Sequence, residues 1–405
     1  MSENNGCSRR NFFKIAGALG AGSILPPGAQ AKEALAGTEN STPARVPVRP
    51  FGKTGVKVSC LGLGGMFDTA TNQLLLKQAL RWGVTYWDTA PSYGNGNSET
   101  GFGEFLKKYP QTRKEIFFVT KSEKFDPDGL SKSLDQSLQR TNANYFDLFL
   151  LHGINDPGLL NKETRAWAEK AKSRGKIKFM GFSAHGNMED MLTAASKLGW
   201  VDAIMLRYDF RLMGTDKMRR AVESCAKAGI GLTAMKTQGK GSIAVDSHAE
   251  LELASRFVKR GFTDAQAKLK AVWEEPSIAS VCSQMPNMTI LMSNVAAALN
   301  QTKLTSEELE LMEAFALETS SGYCPGCTSI CEPAIGHAAP IGDIMRFLMY
   351  HNGYGDTAHA RKCFAAIPAA VRERLETIDF SSAERLCPRK IKIAELVRQA
   401  ATVLG

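Results

Sequence analysis

Between residues 84 and 152 the chain reads Val84-Thr85-Tyr86-Trp87-Asp88, then Ile116-Phe117-Phe118-Val119-Thr120-Lys121, then Phe146-Asp147-Leu148-Phe149-Leu150-Leu151-His152. Each run is short and largely apolar, each closes on a titratable side chain, and stretches of helical period separate them. Apolar runs of this length set between helical patterns read as strands of a parallel sheet buried on both faces. The alternation extends outward, with further runs at residues 61–65, 177–183, 203–208, 231–236 and 278–283. Eight strand candidates, each followed by a helix candidate, imply a parallel sheet with enough units to close on itself. The sequence predicts an α/β fold, an (α/β)8 TIM barrel. Ahead of it, residues 46–50 and 56–60 flank Phe51-Gly52-Lys53-Thr54-Gly55 as a hairpin. Gly62, Gly64 and Gly65 miss the G-x-G-x-x-G spacing and read as a tight barrel turn.

Composition sets the outer limits. The chain has 405 residues, 43% apolar and 22% charged, enough to bury a core and too apolar for a mainly disordered protein. No apolar run reaches the roughly 18 to 20 residues that cross a bilayer, so no transmembrane segment is expected in the mature chain. The formal charge is +9, but the basic residues are dispersed among acidic ones, with no basic run interleaved with aromatics. A nucleic-acid partner is not expected.

The N-terminus reads as an address. Ser8-Arg9-Arg10-Asn11-Phe12-Phe13-Lys14 precedes a weakly apolar stretch carrying Gly17, Gly20 and Gly22; Pro26-Pro27 follows, and Ala29-Gln30-Ala31 offers a small-residue cleavage site. This resembles a twin-arginine export signal, which implies the twin-arginine translocon as a partner during export and a periplasmic location. Residues 1–31 are taken as the signal and 32–44 as a flexible linker.

In a barrel of this kind chemistry sits at the carboxyl ends of the strands. Asp88, Lys121 and His152 finish three consecutive strands, and the loop after Asp88 delivers Tyr93. Any one of them has a bland reading as a strand cap; the four together form a coherent set. A Lys beside the phenol is expected to lower its pKa, and an Asp to keep the ammonium charged. The phenol can then donate a proton to an oxygen gaining negative charge, with the imidazole orienting that oxygen. This is a site for carbonyl reduction that leaves hydride to a cofactor.

These residues, with Phe51-Gly52-Lys53-Thr54-Gly55, Trp87-Asp88-Thr89-Ala90, Ser92-Tyr93-Gly94, Thr120-Lys121, Asp147-Leu148-Phe149-Leu150-Leu151-His152 and Gly175-Lys176-Ile177-Lys178, resemble the aldo-keto reductases over about residues 46–300. The resemblance implies NADP(H) or NAD(H) as cofactor and a small carbonyl-containing substrate. It also implies a tetrad of Asp88, Tyr93, Lys121 and His152 with Tyr93 as general acid/base. Cofactor contacts are expected from Ser183, Tyr208, Lys236, Gln284 and Asn294. The cofactor side departs from the family's pattern: Ser183-Ala184-His185 stands where a Ser-Asn pair is usual, and Met205 where Gln is usual. The loop from Ser283 to Asn294 has no Lys or Arg to meet a 2′-phosphate. Lys236 and Gly239-Lys240-Gly241 read either as a pyrophosphate grip or as plain loop.

Of nine cysteines, Cys7 lies in the signal, Cys60, Cys225 and Cys282 read as small core residues, and five crowd the last fifth. Cys324-Pro325-Gly326-Cys327-Thr328-Ser329-Ile330-Cys331, with the distant Cys387-Pro388, resembles the two-cluster ferredoxin-like extension of some aldo-keto reductases. The second cluster's remaining ligand positions fall at Ile335, Thr377, Phe380 and Ala383, so the resemblance implies that one [4Fe–4S] cluster persists on Cys324, Cys327, Cys331 and Cys387. Disulfides, with Cys363 as an alternative partner, or a zinc site on the same four thiolates are the competing readings. The expected organisation is a barrel over 45–305 and a mainly helical, Cys-rich, ferredoxin-like extension over 306–405. The expected function is that of an exported reductase. The alternative is an iron–sulfur electron-transfer or redox-linked binding protein on a barrel with a degraded nicotinamide site. An electron-transfer partner goes with either.

Overall fold

The computed structural model of the protein describes residues 44–239 and 247–405. The twin-arginine segment, nearly all of the linker, and Lys240-Gly241 lie outside the described residues. The first elements are a hairpin of β1 (Val48–Pro50) and β2 (Lys57–Ser59), paired antiparallel as the sequence predicts. Eight parallel strands follow: β3 (Leu61–Gly64), β4 (Tyr86–Asp88), β5 (Phe117–Ser122), β6 (Phe146–Leu151), β7 (Ile177–Ala184), β8 (Ala203–Arg207), β9 (Gly231–Met235) and β10 (Ile278–Gln284). They pair in order, and β10 returns to β3 to close the barrel.

Strand period decides what points where. Tyr86, Phe117, Val119, Leu148, Leu150, Ala203 and Met205 fill the barrel interior. Their neighbours Trp87, Phe118, Phe149, Leu151, Ile204 and Leu206 join the layer between strands and helices. The hairpin plugs the amino end of the barrel. Phe51 is fully buried there, edge-on to Phe117 at 5.3 Å and to Tyr86 at 6.3 Å. Gly231, at the start of β9, leaves room for that ring, since a Cβ there would lie 2.8 Å from it. With this end sealed, only the carboxyl-end mouth can admit a ligand.

A second core belongs to the C-terminal region. Helices Ile341–Tyr354, Thr357–Ala365 and Ile393–Leu404 pack through Ile344, Leu348, Phe364, Leu396, Val397 and Leu404. The helix Ser306–Glu318 instead packs with His248–Arg260 and Phe210 on the barrel flank. Its start is set by a capping box between Thr305 and Glu308. No helix among the described residues is long and apolar enough to cross a membrane.

Because Phe51 is the plug, Phe51→Ala should destabilise the protein by about 3–5 kcal/mol, the range for emptying a buried aromatic site. Chemical denaturation measures this, and Phe51→Leu should recover much of the loss.

Candidate active site

The inward phase of β4, β5 and β6 carries three polar side chains into the mouth. Asp88 is in phase with Tyr86, Lys121 with Phe117 and Val119, and His152 with Leu148 and Leu150. Tyr93 arrives on the 3-10 turn Tyr93–Gly96, where Gly94 and Asn95 take left-handed φ of 58° and 56°. The structure brings the four together. Lys121 Nζ donates to both Asp88 carboxylate oxygens at 2.6 and 2.7 Å, to the Thr89 carbonyl at 2.8 Å and to Tyr93 Oη at 3.1 Å. The rings of Tyr93 and His152 stand edge to face at 5.8 Å.

The electrostatics correct one expectation: the Tyr93 phenol is raised well above its ordinary pKa, not lowered. Burial is the main cause, and the Asp88 carboxylate and Cys282 add to it. Lys121 is already held twice by Asp88, so it offers the phenol little net positive field. Burial also raises Asp88, against the pull of Lys121. The Cys282 thiol is felt by Asp88, so this cysteine sits against the site as well as the barrel interior. Burial lowers His152, against the neighbouring Glu123 carboxylate, which raises it. Glu123 Oε1 lies 3.3 Å from His152 Nδ1, and the histidine holds this carboxyl down to about 2. Glu123 was not predicted: it is a half-exposed loop carboxylate just past β5, with no sequence signal to set it apart.

The residues expected at a cofactor are dispersed. Ser183 Oγ is buried and accepts the Gly153 N–H at 2.8 Å. Asn294 donates to Ser283 Oγ at 3.0 Å and accepts from Gln238 at 3.1 Å, while Ser283 donates to Gln238 at 2.8 Å. Gln284 donates to the Met66 carbonyl. Lys236, at φ 59°, reaches Tyr350 Oη at 3.1 Å. Tyr208 is a correction: Arg207 takes the inward phase of β8, so Tyr208 turns outward into the layer beneath the helices. Met205 is buried and inward, an apolar surface where an amide is usual. His185 was singled out only as a departure from the family pattern, yet its Nδ1 is buried with no partner among the described residues.

The C-terminal region is seated on the mouth. Arg207 donates to the Cys324 carbonyl at 2.7 Å and stacks on Tyr323, 4.3 Å from its ring centre. Asn187 donates to Thr328 Oγ1 at 3.0 Å and accepts from the Ser329 N–H at 3.1 Å. Lys362 bonds to Asn95, in the turn that carries Tyr93. Beside these contacts Cys324, Cys327, Cys331 and Cys387 line one recess, walled by Pro325, Ile341 and Met345. All four are free thiols, and so is Cys363, which lies outside the recess beside His359. The disulfide alternative is not formed. The described residues hold no group of three or more His, Cys, Asp or Glu side chains gathered about one metal ion.

The sequence profile described as the aldo/keto reductase family matches residues 60–311. L-galactose dehydrogenase of Arabidopsis thaliana is 26% identical over 304 residues, 67% of this chain and 94% of that protein. An aldo-keto reductase of Fusarium vanettenii is 26% identical over 245 residues, 49% of this chain, and the match spans 66% of that relative's length. Among solved structures, the holo form of an aldo-keto reductase from Bacillus halodurans superposes with a TM-score of 0.56 at 21% identity, covering 66% of this chain and 96% of that one. A thermostable aldo-keto reductase in complex with the inhibitor epalrestat gives 0.55 at 24% identity, covering 66% and 98%. These likenesses are to the barrel fold.

Glu123 raises the His152 pKa, so Glu123→Gln should move the imidazole titration to lower pH and leave His152 neutral over a wider range. An NMR pH titration of the His152 ring reads this directly; a shift to higher pH would show that the pair does not form.

Proposed function

Because the chain belongs to the aldo/keto reductase family, and is an oxidoreductase on an (α/β)8 barrel, we propose that Asp88, Tyr93, Lys121 and His152 are its proton-donating centre. The observation that carries this reading is Lys121 Nζ bridging the Asp88 carboxylate and Tyr93 Oη. Burial keeps the phenol protonated, so Tyr93 is poised to give its proton to a carbonyl oxygen as that oxygen gains negative charge. Lys121 holds the phenol in position through its hydrogen bond to Tyr93 Oη, while Asp88 holds the ammonium in place. His152, whose ring stands edge to face with that of Tyr93, positions the carbonyl.

NADP(H) or NAD(H), when bound, supplies the hydride for this reduction. The orphaned Nδ1 of His185, with Ser183, Gln284 and the Gln238–Asn294 pair, supplies the donors and acceptors on this chain that suit such a ligand. The absence of Lys or Arg between Ser283 and Asn294 favours NAD(H) over NADP(H). A small carbonyl compound is the substrate. One observation favours the second reading, a redox-linked binding or electron-transfer protein: Met205 leaves the nicotinamide side of the mouth without an amide partner.

For the extension we propose one [4Fe–4S] cluster on Cys324, Cys327, Cys331 and Cys387. A four-iron core needs its thiolates spread around a cavity and not gathered on one ion, and these four line such a recess. Buried Phe380 and Ala383 stand where ligands of a second cluster would be, so that place is filled by core packing. The cluster would pass electrons to a transfer partner or hold the extension in place. The paired arginines at the N-terminus support export by the twin-arginine translocon to the periplasm, which suits a protein that folds around its cofactors first.

Tyr93→Phe should reduce carbonyl turnover by about 10² to 10⁴-fold, the usual worth of a positioned acid, and leave nucleotide binding unchanged. Steady-state kinetics with fluorescence titration of NADH check both. Retention of full turnover would remove Tyr93 from its role. Anaerobic purification should give a brown protein with broad visible absorption that Cys324→Ser and Cys387→Ser each abolish.

A further inference from the structure

The mouth holds more positive charge than the proton-donating centre uses. Arg207, from the end of β8, and Arg346, from the helix Ile341–Tyr354 above it, line one small recess with Met345, Met349 and Cys324. Arg207 is 6% exposed, and the Nε atoms of both guanidiniums are buried without a partner among the described residues. Lys236 lies close by, with the Tyr350 phenol as its polar contact. Burial, with the charges of Arg346 and Arg207, lowers the pKa of its ammonium.

Few carboxylates offset this charge. Asp343 pairs with Arg346 at 2.8 Å from the exposed side of the helix. Asp209 is engaged by the Tyr323 hydroxyl, and Glu123 by His152. Guanidiniums buried with an unused Nε edge present the planar fork that matches an oxyanion.

We propose that the Arg207–Arg346 recess binds an oxyanion, a carboxylate or phosphate carried by the carbonyl substrate, and so selects acidic over neutral carbonyl compounds. This rests on the reading of Tyr93 as proton donor for the identity of the substrate, but not for the anion site itself. Arg207, at the end of β8, joins the recess to the mouth, and the Arg346 charge is felt by His152 and His185. An acid group bound between the two arginines would lie beside the proton-donating centre.

The test is calorimetric titration of the cluster-containing protein with inorganic phosphate. The wild type should bind it, and Arg346→Gln should weaken binding roughly tenfold or more, as expected for losing a charged hydrogen-bond donor. Arg346→Lys, which keeps the charge, should recover part of the affinity and guards against a variant that merely unseats the helix. Tyr93→Phe should bind phosphate like the wild type while losing turnover, which separates the anion site from the catalytic reading. Reduction of a 2-oxo acid should exceed that of its amide in kcat/KM, and Arg346→Gln should erase the difference. No phosphate binding, displacement of phosphate by NADH or NADPH, or equal rates on acid and amide would each overturn the proposal. So would an Arg346→Gln protein with unchanged phosphate affinity and only a shifted cluster potential, because the cations would then serve the cluster.

Discussion

The buried pair of Lys121 and Asp88 is the constraint around which the mouth is organised. Taking both charges out of water is costly, and the attraction between them repays that cost only where geometry is good and the remaining protons and lone pairs are satisfied. Here the ammonium has two carboxylate oxygens, the Thr89 carbonyl and the Tyr93 hydroxyl as acceptors. The arrangement needs β4 and β5 side by side with matched phase, as their register provides by pairing Tyr86 with Phe117 and Asp88 with Val119. A one-residue slip would turn a charge into the apolar layer beneath the helices. The barrel's closure and the plugging of its base by Phe51 serve the same end, because they leave one accessible face on which this pair can act.

The pair also decides the protonation state of its neighbour. A free ammonium beside a phenol would favour phenolate; an ammonium saturated by a carboxylate does not, and the carboxylate's own charge resists ionisation of Tyr93. On the proposed reading the site is set up to give a proton, and an oxygen that becomes strongly basic as it is reduced can take one even from a phenol of raised pKa. Cys282, packed against the barrel interior beside Asp88, acts in the same direction on Tyr93.

Much of this was legible in the sequence for one reason: buried parallel strands give unbroken apolar runs, and a polar residue that ends such a run stands out. Asp88, Lys121 and His152 were found that way, and Tyr93 by its place in the following loop. The limits were equally physical. A run buried on both faces carries no alternation, so the sequence did not reveal that Tyr208 turns outward while Arg207 turns in. Cys282 looks like any small core residue until its phase in β10 sets it against Asp88. Glu123 and Arg346 act through tertiary contacts with residues far away in the chain, and a loop carboxylate or a helical arginine has no local mark of that role.

The extension is best understood through the segment it shares with the mouth. Cys324 lines the four-cysteine recess with its side chain, its carbonyl holds Arg207, and Met345 lines both the cysteine recess and the arginine recess. Gly326 approaches so closely that a Cβ there would lie 2.6 Å from the His185 carbonyl, and its φ of 84° suits only glycine. Segment 324–331 is thus fastened to the barrel by backbone contacts that tolerate little displacement. Anything that orders the four thiolates also fixes Arg207 and the helix carrying Arg346 and Tyr350 over the mouth. On the proposed ligation, cluster and pocket are not separate modules: the cluster would hold rigid the wall that Arg207 and the helix of Arg346 add to the mouth.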